Sequence, residues 1–191
     1  MKERRLGKTG LRVSEIGFGC WAIGGNAYGT VRDEDSLDAL EAAWDSGVNF
    51  FDTADIYGEG HSEELLKKFL KGKSRDRLIL ATKCGWDFYK TSEKPASLLP
   101  LPGPPGKLNH TGHRKNFDTG YIHFACEQSL KRLGTDVIDL FQLHNPSLEL
   151  IQKGDLVSCL EGLKKAGKIR SIGISVHTEV EALAGPATKT T

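Results

Sequence analysis

The sequence predicts an α/β fold: an incomplete (β/α)8-type barrel of about five βα units, preceded by a short N-terminal β-hairpin. Three observations carry this reading. Short β-branched or aromatic runs alternate with helical patterns about a dozen residues long, the signature of successive parallel βα units. Three of the runs are closed by ionisable residues, Asp52, Lys83 and His144, at the strand ends where a barrel enzyme carries its chemistry. The charged opening up to Val13 carries Gly7 and Gly10 as turn signals, which suits a hairpin capping a barrel bottom. At 191 residues the chain is short of the ~250 typical of a closed eight-stranded barrel, so it reads as one partial barrel domain over residues 1–191.

The elements follow in order. Ser14 to Gly19 is the first strand. A helix begins near Asp33, with acids in its first turn, Leu37, Leu40 and Trp44 on one face, and Gly47 to end it. Val48 to Asp52 is the second strand. Its helix starts near Ser62, with Glu63 and Glu64 early and Lys67, Lys68 and Lys71 late, as the helix dipole favours, and Gly72 closes it. Leu78 to Lys83 is the third strand. A long loop at about 84–118 follows, polar and proline-rich through Leu101-Pro102-Gly103-Pro104-Pro105-Gly106, and a loop of that length after a strand end often covers a site. A helix then carries Ile122, Cys126, Leu130 and Leu133 to Gly134. Val137 to Leu143 is the fourth strand, Leu150 to Ala166 one helix, Ile169 to Ser175 the fifth strand, and Thr178 to Ala184 the start of another helix.

An open doubly wound sheet is the competing arrangement, because Gly17-Phe18-Gly19-Cys20-Trp21-Ala22 satisfies the loose dinucleotide fingerprint. That fingerprint should open directly into a helix. Here Gly24-Gly25-Asn26 and Tyr28-Gly29 follow, and helical pattern waits until Asp33.

Composition excludes several function classes. Lys plus Arg at 26 against Asp plus Glu at 25 leaves almost no net charge, and no basic run interleaves with aromatics, so no nucleic-acid partner is expected. Met1-Lys2-Glu3-Arg4-Arg5 leads into no apolar signal segment, and no later run has the length of a membrane span. A cytoplasmic protein with no membrane partner is the expectation. Cys20, Cys84, Cys126 and Cys159 are widely spaced, which suggests buried reduced thiols and no zinc site. His110-Thr111-Gly112-His113 has ligand-like spacing but no third ligand nearby, and reads as ordinary loop.

The residues that close the strands cluster in type. Asp52 ends the second strand with Tyr57 five residues on, Lys83 ends the third, and His144 follows the fourth. Singly, each has a plain alternative: a helix cap, a packed ring, a solvated charge, a satisfied loop histidine. Together they converge on one rim, and an apolar strand gains nothing by running into an unpaired lysine. A partner for Lys83 is therefore expected.

The segment Gly47-Val48-Asn49-Phe50-Phe51-Asp52-Thr53-Ala54-Asp55-Ile56-Tyr57-Gly58, with Glu63 beyond it, resembles the signature of the aldo-keto reductase family. Leu80-Ala81-Thr82-Lys83, Asp139 to Pro146 and Gly167 to Ser175 resemble its next three strand motifs, in the same order. The resemblance implies an oxidoreductase that reduces aldehydes or ketones by hydride transfer from NADPH, with NADH possible, and a small carbonyl compound as substrate. It implies Tyr57 as general acid. A free phenol has a pKa near 10, and a Lys83 cation about 4 Å away, at roughly 4 kcal/mol in an effective dielectric of 20, is expected to lower it. Asp52 then holds Lys83 charged and aimed, while His144 hydrogen-bonds the substrate oxygen. No metal is implied. A Schiff-base role for Lys83 needs an isolated lysine, which Asp52 argues against.

The same resemblance implies that Gly19, Cys20 and Trp21 line the cofactor pocket with Asp52, and that Trp21 and Trp86 wall the substrate. Ser175 matches the serine of a Ser-Asn pair that holds the nicotinamide carboxamide, but Val176 stands where the asparagine belongs. The family's last three strands and its grips on the pyrophosphate and adenosine phosphate have no counterpart in these residues. Strands one and five are accordingly expected as open edges liable to self-association. The alternative reading is a catalytically silent truncated fragment acting only through subunit association.

Overall fold

The computed structural model describes residues 1–25, 29–90, 93–94, 112–152 and 154–183. Strand β1 (Glu3–Arg5) and strand β2 (Arg12–Ser14) pair antiparallel, Glu3 opposite Ser14, through a turn in which Gly7 and Gly10 take positive φ. This is the expected hairpin. It is tied to the sheet by the Ser14 amide, which donates to Asn49 Oδ1 at 2.7 Å, and the Asn49 amide, which donates back to Ser14 Oγ at 3.1 Å.

The sheet is built in chain order. Strand β3 (Phe18–Gly19) is followed by helix α1 (Asp33–Asp45), strand β4 (Phe50–Asp52), helix α2 (His61–Leu70) and strand β5 (Ile79–Cys84). Strands β6 (Trp86–Asp87) and β7 (Arg114–Lys115) pair antiparallel and close the base of the long loop. Helix α3 (Thr119–Leu133), strand β8 (Ile138–His144), helices α4 (Leu148–Gln152) and α5 (Asp155–Lys165), strand β9 (Ile169–Ser175) and helix α6 (Glu179–Leu183) complete it. Residues 95–111, with the proline-glycine run, His110 and Thr111, lie outside the described residues.

Two expectations are corrected. The first strand is shorter than Ser14 to Gly19: Ser14 ends β2 in the hairpin, and only Phe18 and Gly19 join the parallel sheet. The helix expected from Leu150 to Ala166 is two helices, because Gly154 at φ +77° interrupts it and starts α5. Glycine takes that left-handed backbone without a Cβ penalty.

The strand order β3-β4-β5-β8-β9 never reverses, and every neighbouring pair is parallel. A doubly wound sheet reverses order at its ligand crevice; a barrel does not. The helices form one layer in the same sequence, α1 against α2, α2 against α3 and α3 against α5. Side chains alternate across this sheet. Phe51, Leu80 and Phe141 point into the helix layer and are fully buried, while Phe50, Asp52, Leu140 and Gln142 line a concavity on the other face and are half-buried.

Asp139, on β8, is a buried charge that fixes this frame. It accepts from the Leu80 amide at 2.8 Å, from Arg75 Nη2 at 2.6 Å and from Arg170 Nη1. Two guanidinium groups and a backbone donor satisfy a carboxylate that would otherwise be costly to bury.

Candidate active site

Four side chains meet at the C-terminal ends of β4, β5 and β8. Asp52 is the last residue of β4, and its Oδ2 accepts from Lys83 Nζ at 2.7 Å. Lys83 is 4% exposed on an otherwise apolar strand, and its ammonium also donates to Thr53 O at 2.8 Å. A buried lysine thus has both the expected carboxylate and a backbone acceptor. The same Nζ lies 5.2 Å from the centre of the Tyr57 ring, and the Tyr57 and His144 rings meet edge to face at 5.9 Å. Trp21, 49% exposed, stands 6.3 Å from Tyr57 by ring centres.

Tyr57 is placed by the turn that leaves β4. The Asp55 amide donates to Lys83 O, and the Tyr57 amide to Ala54 O, so the tyrosine is held over β5. Gly58 at φ +63° is required there, because a Cβ would sit 2.3 Å from Gly24 O. His144 ends β8 next to Asn145, whose φ of +57° is uncommon for a residue with a side chain.

The electrostatics correct one expectation. Burial, then the Asp52 carboxylate, push the Tyr57 hydroxyl up to about 12. The expected lowering by Lys83 fails for a geometric reason: the ammonium is paired to Asp52 and faces the ring. His144 moves the other way, down to about 3, because burial and then the Lys83, Lys115 and His177 charges disfavour an imidazolium. It is a neutral imidazole at ordinary pH, and its buried Nδ1 has no hydrogen-bond partner among the described residues. A buried ring nitrogen of this kind is open to a water or a bound group.

Gly19, Asp52, Lys83, Gln142, Ser175 and Val176 share the wall of the concavity, about 570 Å³. Ser175 is the register partner of His144 across β8 and β9. Cys20 is brought to this rim by its backbone alone: its amide donates to Asp52 O at 2.8 Å, while the thiol is fully buried in the core. Trp86 pairs with Lys115 at the base of the loop, and Lys115 Nζ lies 5.2 Å from its ring. The descending arm of that loop also reaches the mouth through His113 Nε2, 3.0 Å from Glu59 Oε1.

The model of the aldo/keto reductase family matches residues 15–185. The chain belongs to that family. Among curated proteins, the aldo-keto reductase YhdN of Bacillus subtilis (strain 168) is 38% identical over 177 residues, covering 92% of this chain and 47% of the relative. Pyridoxal 4-dehydrogenase of Microbacterium luteolum is 33% identical over 195 residues, covering 92% and 56%. Among solved structures, the aldo-keto reductase AKR11C1 from Bacillus halodurans, in its holo form, superimposes with a TM-score of 0.74 at 34% identity, over 92% of this chain and 50% of that one. This aldo/keto reductase chain therefore spans about half the length of the curated relatives it matches. Its five-stranded parallel sheet is part of the family's barrel. Among the described residues no helix is long and apolar enough to cross a membrane.

Beneath the rim, the aldo/keto reductase chain carries buried charge whose pairing the sequence did not show. Glu63, fully buried in α2, accepts from Arg132 Nε at 2.7 Å and from Thr82 Oγ1 at 2.7 Å, and Arg132 Nη2 donates to the Tyr89 hydroxyl. Asp55 is also fully buried, and no side chain pairs with its carboxyl group among the described residues; the adjoining Ile56 amide is its one weak polar neighbour. Burial, then the Glu63 charge, hold its carboxyl well above the usual carboxylate range. The linkage sign follows: the folded state binds this proton more tightly than the unfolded chain does. The stability cost of Asp55 begins above the unfolded value near 4 and grows with pH until the folded carboxyl ionises. Asp55→Asn is therefore expected to gain stability over the parent progressively between pH 5 and 8. Thermal melting of both proteins across that range checks this, and a pH-independent difference in melting temperature would contradict it.

Proposed function

We propose that this chain holds a carbonyl-reducing site that works with NADPH, or with NADH as the second choice, on small aldehydes or ketones. The observation that carries the reading is the unbroken contact series Asp52, Lys83, Tyr57, His144 at the ends of neighbouring parallel strands. The names of two relatives, pyridoxal 4-dehydrogenase and 6-dehydroglucose reductase, support a small carbonyl or alcohol as the substrate class.

The residues present fit the nicotinamide end of the cofactor. Asp52 and Lys83 share the wall of one concavity with Gly19, Ser175 and Val176. Gly19 leaves open space on its wall, with no atom within 4 Å of where a Cβ would stand. Ser175 would offer a hydroxyl to the nicotinamide carboxamide, and Val176 would offer an apolar wall in place of a second polar contact. When bound, the cofactor supplies the hydride. His144, neutral, directs the carbonyl oxygen toward Tyr57, and the Tyr57 hydroxyl donates the proton that the developing alkoxide requires. A donor pushed up to about 12 suits this direction: it stays protonated at working pH, and an aliphatic alkoxide is a stronger base than a phenolate. Lys83 and Asp52 form a paired, nearly neutral base beneath the ring and fix its place.

A fluorescence titration of the purified chain with NADPH, followed by loss of NADPH absorbance with a panel of aromatic and aliphatic aldehydes, tests this. Saturable binding and turnover are expected. A folded chain that neither binds nor reduces would overturn the reading and leave the second one, a silent fragment that acts by association. That second reading is favoured by β3 and β9, which each pair on one side only among the described residues. Concentration-dependent sedimentation reports it directly.

A further inference from the structure

Gln142 is a half-buried residue of β8 whose side chain faces the concavity. Its Nε2 donates to Asp52 Oδ1 at 3.0 Å, while Asp52 Oδ2 accepts from Lys83 at 2.7 Å. The amide orientation is set by chemistry, because the opposite flip would turn the amide oxygen toward a carboxylate. We propose that Gln142 is a positioning residue. It clamps the free edge of the Asp52 carboxylate so that the other oxygen stays on Lys83. This rests on the carbonyl-reducing reading above and assigns a further residue to the same site.

The reach of this bond is built into the register. Asp52 and Leu140 are both partners of Ala81, whose methyl is the smallest side chain available on the intervening strand. Gln142 and Lys83 are partners two residues further along, on the same face, so both reach back to the same carboxylate from the same level. On the far side, Gln142 is the partner of Gly173, where a Cβ would lie 3.0 Å from Gln142 Cγ and 3.2 Å from Leu140 Cδ1. Gly173, at an ordinary strand position, therefore serves as clearance for the glutamine. Asp52 needs the clamp because its side chain is 36% exposed, and water competes for an exposed carboxylate. A neutral donor is the suitable one: it holds the carboxylate without adding a second cation beside Lys83, so the pair under Tyr57 keeps its charge balance.

Two variants test this. Gln142→Met keeps length and removes the donor; Gly173→Ala leaves the donor and pushes it off its seat. The readout independent of activity is the Lys83 ammonium signal in 15N-lysine-labelled protein, assigned by its loss in Lys83→Met. The parent is expected to show a slowly exchanging ammonium, and both variants to lose or broaden it while retaining a cooperative melt. The kinetic readout is a fall in kcat of about tenfold with KM for the aldehyde little changed, the scale of one hydrogen bond to a charged group. An ammonium signal unchanged in either folded variant overturns the proposal, whatever the activity. A parent that shows the signal change on substitution but reduces no carbonyl leaves Gln142 as the clamp of Asp52 and defeats the functional reading instead.

Discussion

Tyr57→Phe is expected to lower carbonyl reduction by roughly 10²–10⁴-fold, the contribution of a positioned proton donor, while leaving NADPH affinity unchanged. The barrier rises by about 3–5 kcal/mol on that scale. The substitution is clean because the contacts that seat this residue are made by its ring: Trp21 at 6.3 Å, His144 at 5.9 Å and Lys83 Nζ at 5.2 Å from the centre. Phenylalanine keeps all three and loses only the hydroxyl. The loss should fall on kcat, since the proton moves in the transition state and not on binding. Steady-state kinetics beside a fluorescence titration decide the matter, and a variant retaining more than about a tenth of the parental kcat would remove Tyr57 from the role. The pH profile adds a second constraint. With Tyr57 pushed up to about 12 and His144 down to about 3, neither group titrates between pH 5 and 9, so any limb in that range belongs to another group.

The second large effect is on stability. Arg132→Met should cost about 3–5 kcal/mol, because it strands the fully buried Glu63 carboxylate without its cation. Arg132 does more than pair. Its guanidinium lies over the Phe88 and Tyr89 rings and donates to the Tyr89 hydroxyl, and Gly60 leaves it room, since a Cβ there would stand 2.6 Å from Arg132 Cδ. Through Glu63 and Thr82 the pair joins α3, α2 and β5, the strand that carries Lys83. The double variant Arg132→Met with Glu63→Leu should recover part of the loss, as paired apolar replacements of buried ions do. Chemical denaturation of the parent, single and double variants measures both. A single-variant loss below about 1 kcal/mol would mean that Glu63 is solvated or protonated and needs no partner.

Much of the fold was legible because its signals are local. Glu63 and Glu64 at the start of α2 with Lys67 and Lys68 in its last turn, Gly134 after α3, and the unbroken run Ile169–Ser175 each mark an element within its own few residues. Element boundaries set by distant contacts carry no such local mark. An apolar helical pattern runs through Leu150 to Ala166, and periodicity could not show that Gly154 adopts φ +77° and divides it. Ser14 belongs to the hairpin because its backbone pairs with Glu3 in β1, and its bonds to Asn49, 35 positions away, only tie that hairpin to the sheet; a local run of strand-forming residues shows neither.

For the site the division is the same. The order of motifs and the ionisable residues at strand ends were enough to name Asp52, Tyr57, Lys83 and His144, since a parallel barrel delivers every strand end to one rim whatever the side-chain details. The sequence by itself determined that these four groups would meet. Only the tertiary structure decided what each does to the others. It turned Lys83 onto Asp52 and the face of the Tyr57 ring, which reversed the expected direction of the tyrosine's shift. It sent the Cys20 thiol into the core, buried Asp55 without a side-chain partner, and carried Gln142 across β5 to the carboxylate. Proximity to a rim follows from topology. Orientation, desolvation and charge pairing depend on atoms supplied by distant parts of the chain, and a few ångströms in those positions decide the sign of the result.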